Sequence, residues 1–325
     1  MIGLIGETCP HRNASLAYGI PAEDIGYAPG GSYDLYARMV ARHLGKHIPG
    51  NPTIIPNNMP GAGSLQAANF LYSVAPRDGS ALGALGETLA MEQALQNPGV
   101  KYDAMQYTSI GRIASSNNLI MVWHTSKAQS VADTFSTEMT MAGTGPSNLA
   151  EIVPRLLNGL AGTRFRIISG YASAGPGMLA MERGEVDASG TAWATIKSQR
   201  QDWLRDKKMR IILQVVPTRD PELPDVPALL EFGKTELDRQ VLTIYASGGA
   251  IGRSIVAPPG LPPSISMALR EAFQSMIKDN EMIAELKKAQ LELSPNDHSF
   301  LEKTVAQTVQ VPASVRERVR AILGK

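Results

Sequence analysis

The sequence has few of the features that mark several large classes of protein. Its single cysteine, Cys9, excludes a disulfide within the chain and a cysteine-rich metal site. The 31 basic and 30 acidic side chains nearly cancel, so the chain lacks the positive surface with which proteins bind nucleic acid. No stretch reaches the roughly 20 consecutive apolar residues of a membrane-spanning helix. The expected partner is therefore a small molecule or another protein, and not a nucleic acid.

The first residues also lack the pattern of an export signal. Residues 1–6 are mostly apolar, but Glu7 interrupts the run and no basic region precedes it. The sequence as given therefore predicts no signal peptide.

Glycine and proline, in contrast, are abundant. The 30 glycines and 22 prolines make up about 16% of the 325 residues, against roughly 12% in an average protein. They follow no repeat, so they are expected in turns and loops. At about 150 residues per domain, a chain of this length is expected to form two domains.

Strand-like and helix-like segments alternate along the chain. Residues 138–142 and 165–169 have the pattern of strands, and residues 34–47 place apolar side chains at the spacing of one helix face. Alternation of this kind predicts an α/β fold with mostly parallel sheets.

Four Gly/Pro-rich loops each follow a predicted strand and open a predicted helix. They are APGGS (28–32), MPGAGS (59–64), GTGPS (143–147) and AGPG (174–177). Two lie in the first third of the chain and two near its middle, as two similar α/β lobes would place them. Because the ends of parallel strands converge on one crevice, the four loops are expected to meet at one site.

Loops of this kind are suited to binding an anion. Glycine lets the backbone approach a ligand closely. The first amides of a helix have no intrahelical partner, and they carry the positive end of its dipole. Ser32, Ser64, Thr144 and Ser147 add hydroxyl donors, so a carboxylate could be held without an arginine. Taken singly, each loop could equally be a turn with a helix cap.

Other kinds of site have weaker support. Residues 61–67 begin with the GxG of a dinucleotide-binding loop, so a dinucleotide-dependent enzyme is the alternative from another class of protein. The loop lacks the third glycine of that motif, which counts against this alternative. His43 and His47 could share a helix face, but the sequence shows no third metal ligand nearby. Neither a P-loop nor a GxSxG elbow is present. We predict no catalytic residues, no metal site and no cofactor.

Five motifs in a fixed order give the chain a specific resemblance. No single motif is strong, but their order is specific, and the resemblance runs from about Gly26 to Lys325, about nine-tenths of the chain. In order they are YAPGGSYD (27–34), NMPGAG (58–63), APRDG (75–79), GEVD (184–187) and RSIVAPPG (253–260). The chain resembles the Bug family, the TctC-like solute-binding receptors of tripartite tricarboxylate transporters.

The resemblance implies a type II periplasmic-binding-protein architecture, in which two α/β lobes close around a ligand cleft. The chain would leave the first lobe near Ser115 and return near Gly249. Lobe 1 would then comprise residues 1–114 and 250–325, and lobe 2 residues 115–249. The C-terminal helices would pack on lobe 1.

The resemblance also implies which residues contact the ligand. Family ligands are small carboxylates, often dicarboxylates or aromatic acids, and they are held largely by loop amides, hydroxyls and water. The position of Ser32 is often glycine in the family, so this hydroxyl would add a donor or narrow the site. Carried onto this chain, the contacts are Gly30, Gly31, Ser32, Asp34, Gly61, Ala62, Gly63 and Glu87 in lobe 1, and Thr144, Gly145, Ser147, Tyr171, Ala174 and Asp187 in lobe 2.

The implied function is an extracytoplasmic receptor that captures a small carboxylate and passes it to the membrane permease subunits of the transporter. Such a receptor would be a periplasmic monomer without enzymatic activity. A carboxylate-sensing module for signalling, with the same cleft and a different protein partner, is the alternative within this reading.

One segment departs from the family pattern. Residues 18–26 replace a strand-like run that precedes the first glycine-rich loop in the family. Pro21, Glu23 and Asp24 suit an irregular segment better than a buried central strand. We therefore expect residues 1–24 to be irregular.

Overall fold

Two β-sheets organise the chain. The structure, a computed structural model, describes residues 22–324. These described residues form eleven strands: β1 (Ala22–Ile25), β2 (Ile55–Asn58), β3 (Ala81–Ala84), β4 (Thr108–Ala114), β5 (Asn118–Trp123), β6 (Met139–Gly143), β7 (Phe165–Ser169), β8 (Ala188–Ala192), β9 (Met209–Val215), β10 (Arg253–Ala257) and β11 (Asn296–Asp297).

Parallel and antiparallel pairs occur in both sheets. The first sheet has the strand order β11-β4-β10-β3-β1-β2, and the second has the order β7-β6-β8-β5-β9. β1 pairs in parallel with β2 and β3, and β6 pairs in parallel with β7 and β8. β10 and β5 run antiparallel to both of their neighbours. The sheets are therefore mixed rather than mostly parallel, because β5 and β10, the first strands after the two lobe crossings, run against their neighbours.

Helices pack against both sheets. The described residues form twelve α-helices: α1 (Ser32–His43), α2 (Leu65–Ser73), α3 (Leu89–Ala94), α4 (Leu149–Leu160), α5 (Ala174–Glu182), α6 (Trp193–Gln199), α7 (Gln201–Arg205), α8 (Glu236–Ser247), α9 (Pro263–Met276), α10 (Asn280–Lys288), α11 (His298–Val309) and α12 (Ala313–Leu323). α1, α2, α9 and α11 contact the first sheet, and α4, α5 and α6 contact the second. Each sheet with its helices is called a lobe below, lobe 1 containing the six-stranded sheet.

The chain crosses between the lobes at two adjacent places. It leaves lobe 1 between β4 and β5, and it returns between α8 and β10. The Ser116 amide donates to the Gly249 carbonyl at 3.0 Å, so the two crossings lie side by side. A Cβ on Gly249 would fall 2.2 Å from the Ser116 carbonyl oxygen, so this close approach requires glycine.

Each lobe has its own apolar core. In lobe 1, Val40 of α1 and Phe273 of α9 are fully buried beneath the sheet strands. In lobe 2, Met141 of β6 packs with Leu156 of α4, and both are fully buried. Burial of one such side chain stabilises the fold by about 1.5–3 kcal/mol. These cores hold the loops at the strand ends in fixed positions.

The first described strand corrects the expectation for the N-terminal segment. β1 lies inside the first sheet between β2 and β3, and both Glu23 and Asp24 are buried. Asn57 Nδ2 donates to Asp24 Oδ1 at 2.8 Å, whereas neither carboxyl oxygen of Glu23 has a hydrogen-bond partner among the described residues. The strand forms despite these side chains because β2 and β3 satisfy its backbone. The prediction of irregular structure is wrong for residues 22–24, while Pro21 lies outside the described residues.

The last helix also departs from expectation. α9 and α11 pack on lobe 1, but α12 returns to lobe 2 and contacts α4 and α8. Val315 and Val319 of α12 are buried in the core of lobe 2. Arg318 Nη2 donates to Asp238 Oδ1 at 3.2 Å. The prediction that the C-terminal helices pack on lobe 1 is therefore wrong for α12, whose apolar stripe completes the other core.

Candidate functional site

Two of the glycine-rich loops touch each other across the lobes. A Cβ added to Gly63, whose φ is +68°, would fall 2.8 Å from the Ser147 carbonyl carbon. Thr88 Oγ1 donates to the Ser147 carbonyl at 2.6 Å, and Asn148 Nδ2 donates to Tyr27 Oη at 3.3 Å. The lobes are thus held together by direct contacts, and the structure shows them closed.

A small cavity lies between the lobes. About 60 Å³ of it is accessible to the centres of water molecules, which is room for several waters or for a small ligand group. Both lobes contribute to its walls, as do Asn118 and Arg253, which open the strands that follow the two crossings. The lining residues are Tyr27, Gly31, Ser32, Tyr33, Asn118, Leu119, Ile120, Thr144, Asn148, Leu149, Ala150, Ser173, Ala174, Gly190, Thr191, Ala192, Val215 and Arg253.

Three helices begin at the cavity. Gly31 precedes the first residue of α1, Asn148 precedes α4 and Ser173 precedes α5, and all three residues line the cavity. The first amides of each helix have no intrahelical partner, and together they act as roughly half a positive charge. The cavity can therefore offer hydrogen-bond donors to an anion from three directions.

Two of these helix starts already hold a carboxylate of their own. In α1, Asp34 accepts a hydrogen bond from the Gly30 amide at 3.1 Å. In α4, Glu151 accepts one from the Gly145 amide at 2.8 Å. Burial by itself raises the pKa of Asp34, but hydrogen bonds led by Arg38 lower that pKa below its usual value. The positive ends of α1 and α4 are therefore largely compensated.

The start of α5 holds no carboxylate. Its first turn contains no acidic residue, and Ser173 is only 3% exposed. Ser173 lines the cavity, and its buried hydroxyl has no hydrogen-bond partner in the described chain. A buried hydroxyl without a partner costs about 1–3 kcal/mol, and a ligand oxygen beside it would remove that cost. This helix start is the position in the cavity best suited to a ligand carboxylate.

A buried arginine completes the wall of the cavity. Arg253 opens β10 and is 3% exposed. Its Nε and Nη2 donate to Ser32 Oγ at 3.1 and 2.7 Å, and its guanidinium carbon lies 3.9 Å from the centre of the Tyr33 ring. On its other side, Nη1 lies 3.4 Å from Glu87 Oε2. Glu87 Oε1 in turn accepts a hydrogen bond from Asn118 Nδ2 of lobe 2 at 2.5 Å.

Arg253 and Glu87 form a buried ion pair. Burial raises the pKa of the Glu87 carboxyl, and the charge of Arg253 offsets part of that rise. Burial lowers the pKa of Arg253, but Tyr33 and Glu87 together raise it above its usual value, so the guanidinium is charged. The expectation of a site built without an arginine is therefore incomplete. An arginine lines the cavity, and its charge is already matched.

The predicted contact residues occupy different places around this cavity. Those at its wall are Gly31, Ser32, Thr144 and Ala174. Gly61, Ala62, Gly63, Gly145 and Ser147 belong instead to the loops that meet across the lobes. Gly30 and Asp34 bond to each other at the start of α1, and Glu87 lies behind Arg253.

Two predicted contacts lie away from the cavity. Asp187 precedes β8, at the opposite end of the strand from the cavity wall, and its carboxylate accepts from the Thr140 amide and hydroxyl, both at 2.8 Å. The Tyr171 amide donates to the Gly143 carbonyl at 3.2 Å, and the Tyr171 side chain packs on an apolar cluster of lobe 2. Neither side chain lines the cavity in this closed form.

The sequence did not reveal several wall residues. Arg253 lies within a recognised motif, yet it is 221 residues from Ser32, and no local pattern shows that the two meet. Thr191 lies on β8, whose sequence ASGTA has only small side chains and no strand pattern. A lone arginine at the start of a strand, just after the return crossing, is the signal that could have indicated Arg253.

A separate cluster carries side chains of the types that bind metals. His43, Asp279 and Glu281 each bring one ligand atom within 4.8 Å of the others, where α1 meets α10. Lys46 Nζ lies 2.5 Å from Glu281 Oε2 and 3.3 Å from His43 Nδ1. An ammonium group already sits among these ligands, so we assign no metal to them.

Two α/β lobes joined by adjacent crossings, with helix starts facing a cavity between them, define a two-lobed ligand-binding protein. Solved structures of such proteins share the fold. The periplasmic binding protein BugD matches with a TM-score of 0.73 and 18% identity, over 94% of this chain and 97% of its own. Malate-bound MatC from Rhodopseudomonas palustris matches with a TM-score of 0.70 and 21% identity, over 93% and 98%. An adipate-bound protein of R. palustris matches with a TM-score of 0.71 and 18% identity, over 94% and 97%.

The sequence comparison places the chain in a family. The model of the tripartite tricarboxylate transporter family receptor, TctC, matches residues 36–319. The chain therefore belongs to this family of solute-binding receptors, and the resemblance carried by the five motifs is confirmed. A comparison with curated proteins finds no match. Within residues 22–324, every helix is too short or too polar to cross a membrane.

Proposed function

We propose that this receptor binds a small carboxylate between its two lobes. The observation that carries the proposal is the start of α5, where the buried Ser173 hydroxyl has no hydrogen-bond partner within residues 22–324 and the first turn has no acidic residue. Thr144, at the end of β6, adds a second hydroxyl to the same cavity. Malate and adipate in two structures of the same fold support a carboxylate as the ligand.

We further propose that the receptor works in the periplasm as a monomer and delivers its ligand to the membrane subunits of a tripartite transporter. The family of the chain supports this role, as does the fold shared with a periplasmic binding protein. Residues 1–114 and 250–325, apart from α12, are proposed as one domain, and residues 115–249 as the other. Binding is proposed to involve no catalytic step, metal or cofactor.

A thermal-shift screen tests the proposed ligand class. The full chain is heated with each member of a panel of mono-, di- and tricarboxylates, and with NAD as the representative of the dinucleotide alternative. A carboxylate at about 1,000 times its Kd should stabilise the folded protein by roughly 4 kcal/mol. A shift with NAD and with no carboxylate would refute the proposal. That result is not expected, because the loop at residues 61–63 packs against lobe 2.

A further inference from the structure

The charges around the cavity limit the kind of carboxylate that fits. Of the described residues that line the cavity, Arg253 is the only one with a charged side chain. Glu87 neutralises it from behind, with Nη1 and Oε2 3.4 Å apart and both residues at least 95% buried. A ligand carboxylate next to Arg253 would place a second anion on one guanidinium, away from water. That arrangement is unfavourable because neither anion would be fully paired or solvated.

Ser32 determines what the cavity can bind beside Arg253. Its Oγ accepts two hydrogen bonds from Arg253, which occupy both lone pairs of a hydroxyl oxygen. The hydroxyl hydrogen therefore points away from the guanidinium, and it is donated to no other group of the described chain. Ser32 lies in the cavity wall, so this hydrogen can be donated to an oxygen of the ligand. The neutral pair behind it makes an uncharged oxygen the better acceptor.

Among the three helix starts at the cavity, one is suited to an anion. The starts of α1 and α4 are compensated by Asp34 and Glu151. Of these three helices, only α5 has no acidic residue in its first turn, and the hydroxyl that precedes it, that of Ser173, has no partner in the part of the chain that the structure describes. One helix start and one buried hydroxyl match a single carboxylate.

Resting on the proposed function, we infer that the ligand carries one carboxylate, bound by Ser173 and the start of α5, and one uncharged oxygen acceptor, bound by Ser32. The ligand class is thus a monocarboxylate with a carbonyl, amide or ether oxygen. A dicarboxylate of the same length would place its second charge against the neutralised Arg253–Glu87 pair.

Three probes of equal size test this inference. Succinate, succinamate and levulinate share a carboxylate and a two-carbon spacer, and they differ only in whether the far carbonyl carries an oxygen anion, an amino group or a methyl group. Isothermal titration calorimetry at about pH 7.5, where both carboxyls of succinate are ionised, should give at least a roughly tenfold lower Kd for succinamate and levulinate than for succinate. The one-carbon-longer set of glutarate, glutaramate and 5-oxohexanoate covers a longer spacing.

A charge variant tests the cause of the preference. Glu87→Gln exposes the ligand to the uncompensated charge of Arg253. The Kd of succinate, divided by the Kd of succinamate, should therefore fall by roughly tenfold or more. Asp238→Asn is the control, because it removes a buried, arginine-paired carboxylate that does not line the cavity, and it should leave the ratio unchanged. If Glu87→Gln does not fold, the inference is judged by the Kd values of succinate, succinamate and levulinate in the unaltered protein.

The outcomes separate the inference from the proposed function. If succinate and glutarate bind as tightly as their uncharged analogues or more tightly, the inference is wrong and the receptor still binds carboxylates. If no carboxylate of the wider panel binds, the proposed function itself fails. If other carboxylates bind but neither the succinate set nor the glutarate set does, one carboxylate of the tightest-binding ligand is replaced by a carboxamide. The inference again requires a roughly tenfold lower Kd for the carboxamide.

Discussion

Buried hydroxyls without hydrogen-bond partners are uncommon in folded proteins, and two of them lie near the lobe interface. Ser173 Oγ and Ser147 Oγ are both buried and unpartnered in the described chain. Ser173 lines the cavity, whereas the Ser147 hydroxyl does not. The two serines are therefore suited to a matched comparison, because both have buried hydroxyls without partners and only Ser173 lines the cavity.

At the residue scale, Ser173→Ala is expected to weaken ligand binding without destabilising the protein. A hydrogen bond to a charged group contributes about 1.5–3 kcal/mol, so Kd should rise by roughly tenfold or more. Removing an unsatisfied hydroxyl should leave the melting temperature of the free protein unchanged or slightly higher. Calorimetry and thermal unfolding of Ser173→Ala beside Ser147→Ala check this, and equal effects of the two changes on Kd would place the carboxylate elsewhere.

At the scale of the element, β1 carries an unusual residue for an internal strand. Glu23 is fully buried, and neither of its carboxyl oxygens has a hydrogen-bond partner in the described part of the chain. Burial, with a smaller effect of Asp24, raises the pKa of Glu23 well above the ordinary value of 4.5. The Glu23 carboxyl therefore holds its proton more tightly in the folded protein than in the unfolded chain. The stability that this protonation provides is fully present below about pH 4.5, and it is lost as the pH rises through the raised pKa.

Glu23→Leu is therefore expected to stabilise the protein in a pH-dependent way. A buried polar group without a partner costs about 1–3 kcal/mol, so an apolar side chain at this position should raise the free energy of unfolding by a similar amount. The increase in the free energy of unfolding should be larger at about pH 8 than at about pH 5, because at the higher pH the buried Glu23 carboxyl must either ionise or hold its proton against the solvent. Urea denaturation at the two values measures it. Glu138→Leu, at an exposed position, is the control, and a gain that is the same at both pH values would contradict the proposed cause.

At the scale of the whole molecule, direct bonds between the lobes favour the closed form. Thr88 Oγ1 of lobe 1 donates to the Ser147 carbonyl of lobe 2 at 2.6 Å. Glu87, one residue earlier, accepts from Asn118 of lobe 2. Because these bonds exist only when the lobes meet, they contribute to the closed state and not to the open one.

Thr88→Val is expected to shift the lobes toward the open state. Losing one hydrogen bond of about 1 kcal/mol should change the ratio of open to closed molecules, and the ligand Kd, by roughly fivefold. Small-angle scattering should show a larger radius of gyration without ligand. Thr108→Val removes a similar bond, to the Pro258 carbonyl at 2.9 Å, inside lobe 1. An effect of equal size in that variant would show that closure is not involved.

Much of the α/β alternation was predictable because strands and helix starts have local signals. The strand predicted at residues 165–169 has those bounds in the structure, and the strand predicted at 138–142 is found at Met139–Gly143. β8 was not predicted because ASGTA lacks large β-branched side chains. The segment at Glu23 was misjudged because its acidic side chains obscure a strand whose backbone is satisfied by two neighbours.

The sequence by itself determined the family, the two-lobe α/β class and the glycine-rich loops that begin the helices, since these depend on short stretches of neighbouring residues. Only the tertiary structure decided which of those loops face the cavity and which touch each other across the lobes. It also brought Arg253 to Ser32 and Glu87, across 221 and 166 residues of chain. Such contacts depend on how two sheets and two crossings pack, and packing between distant segments leaves no pattern in the residues next to each of them.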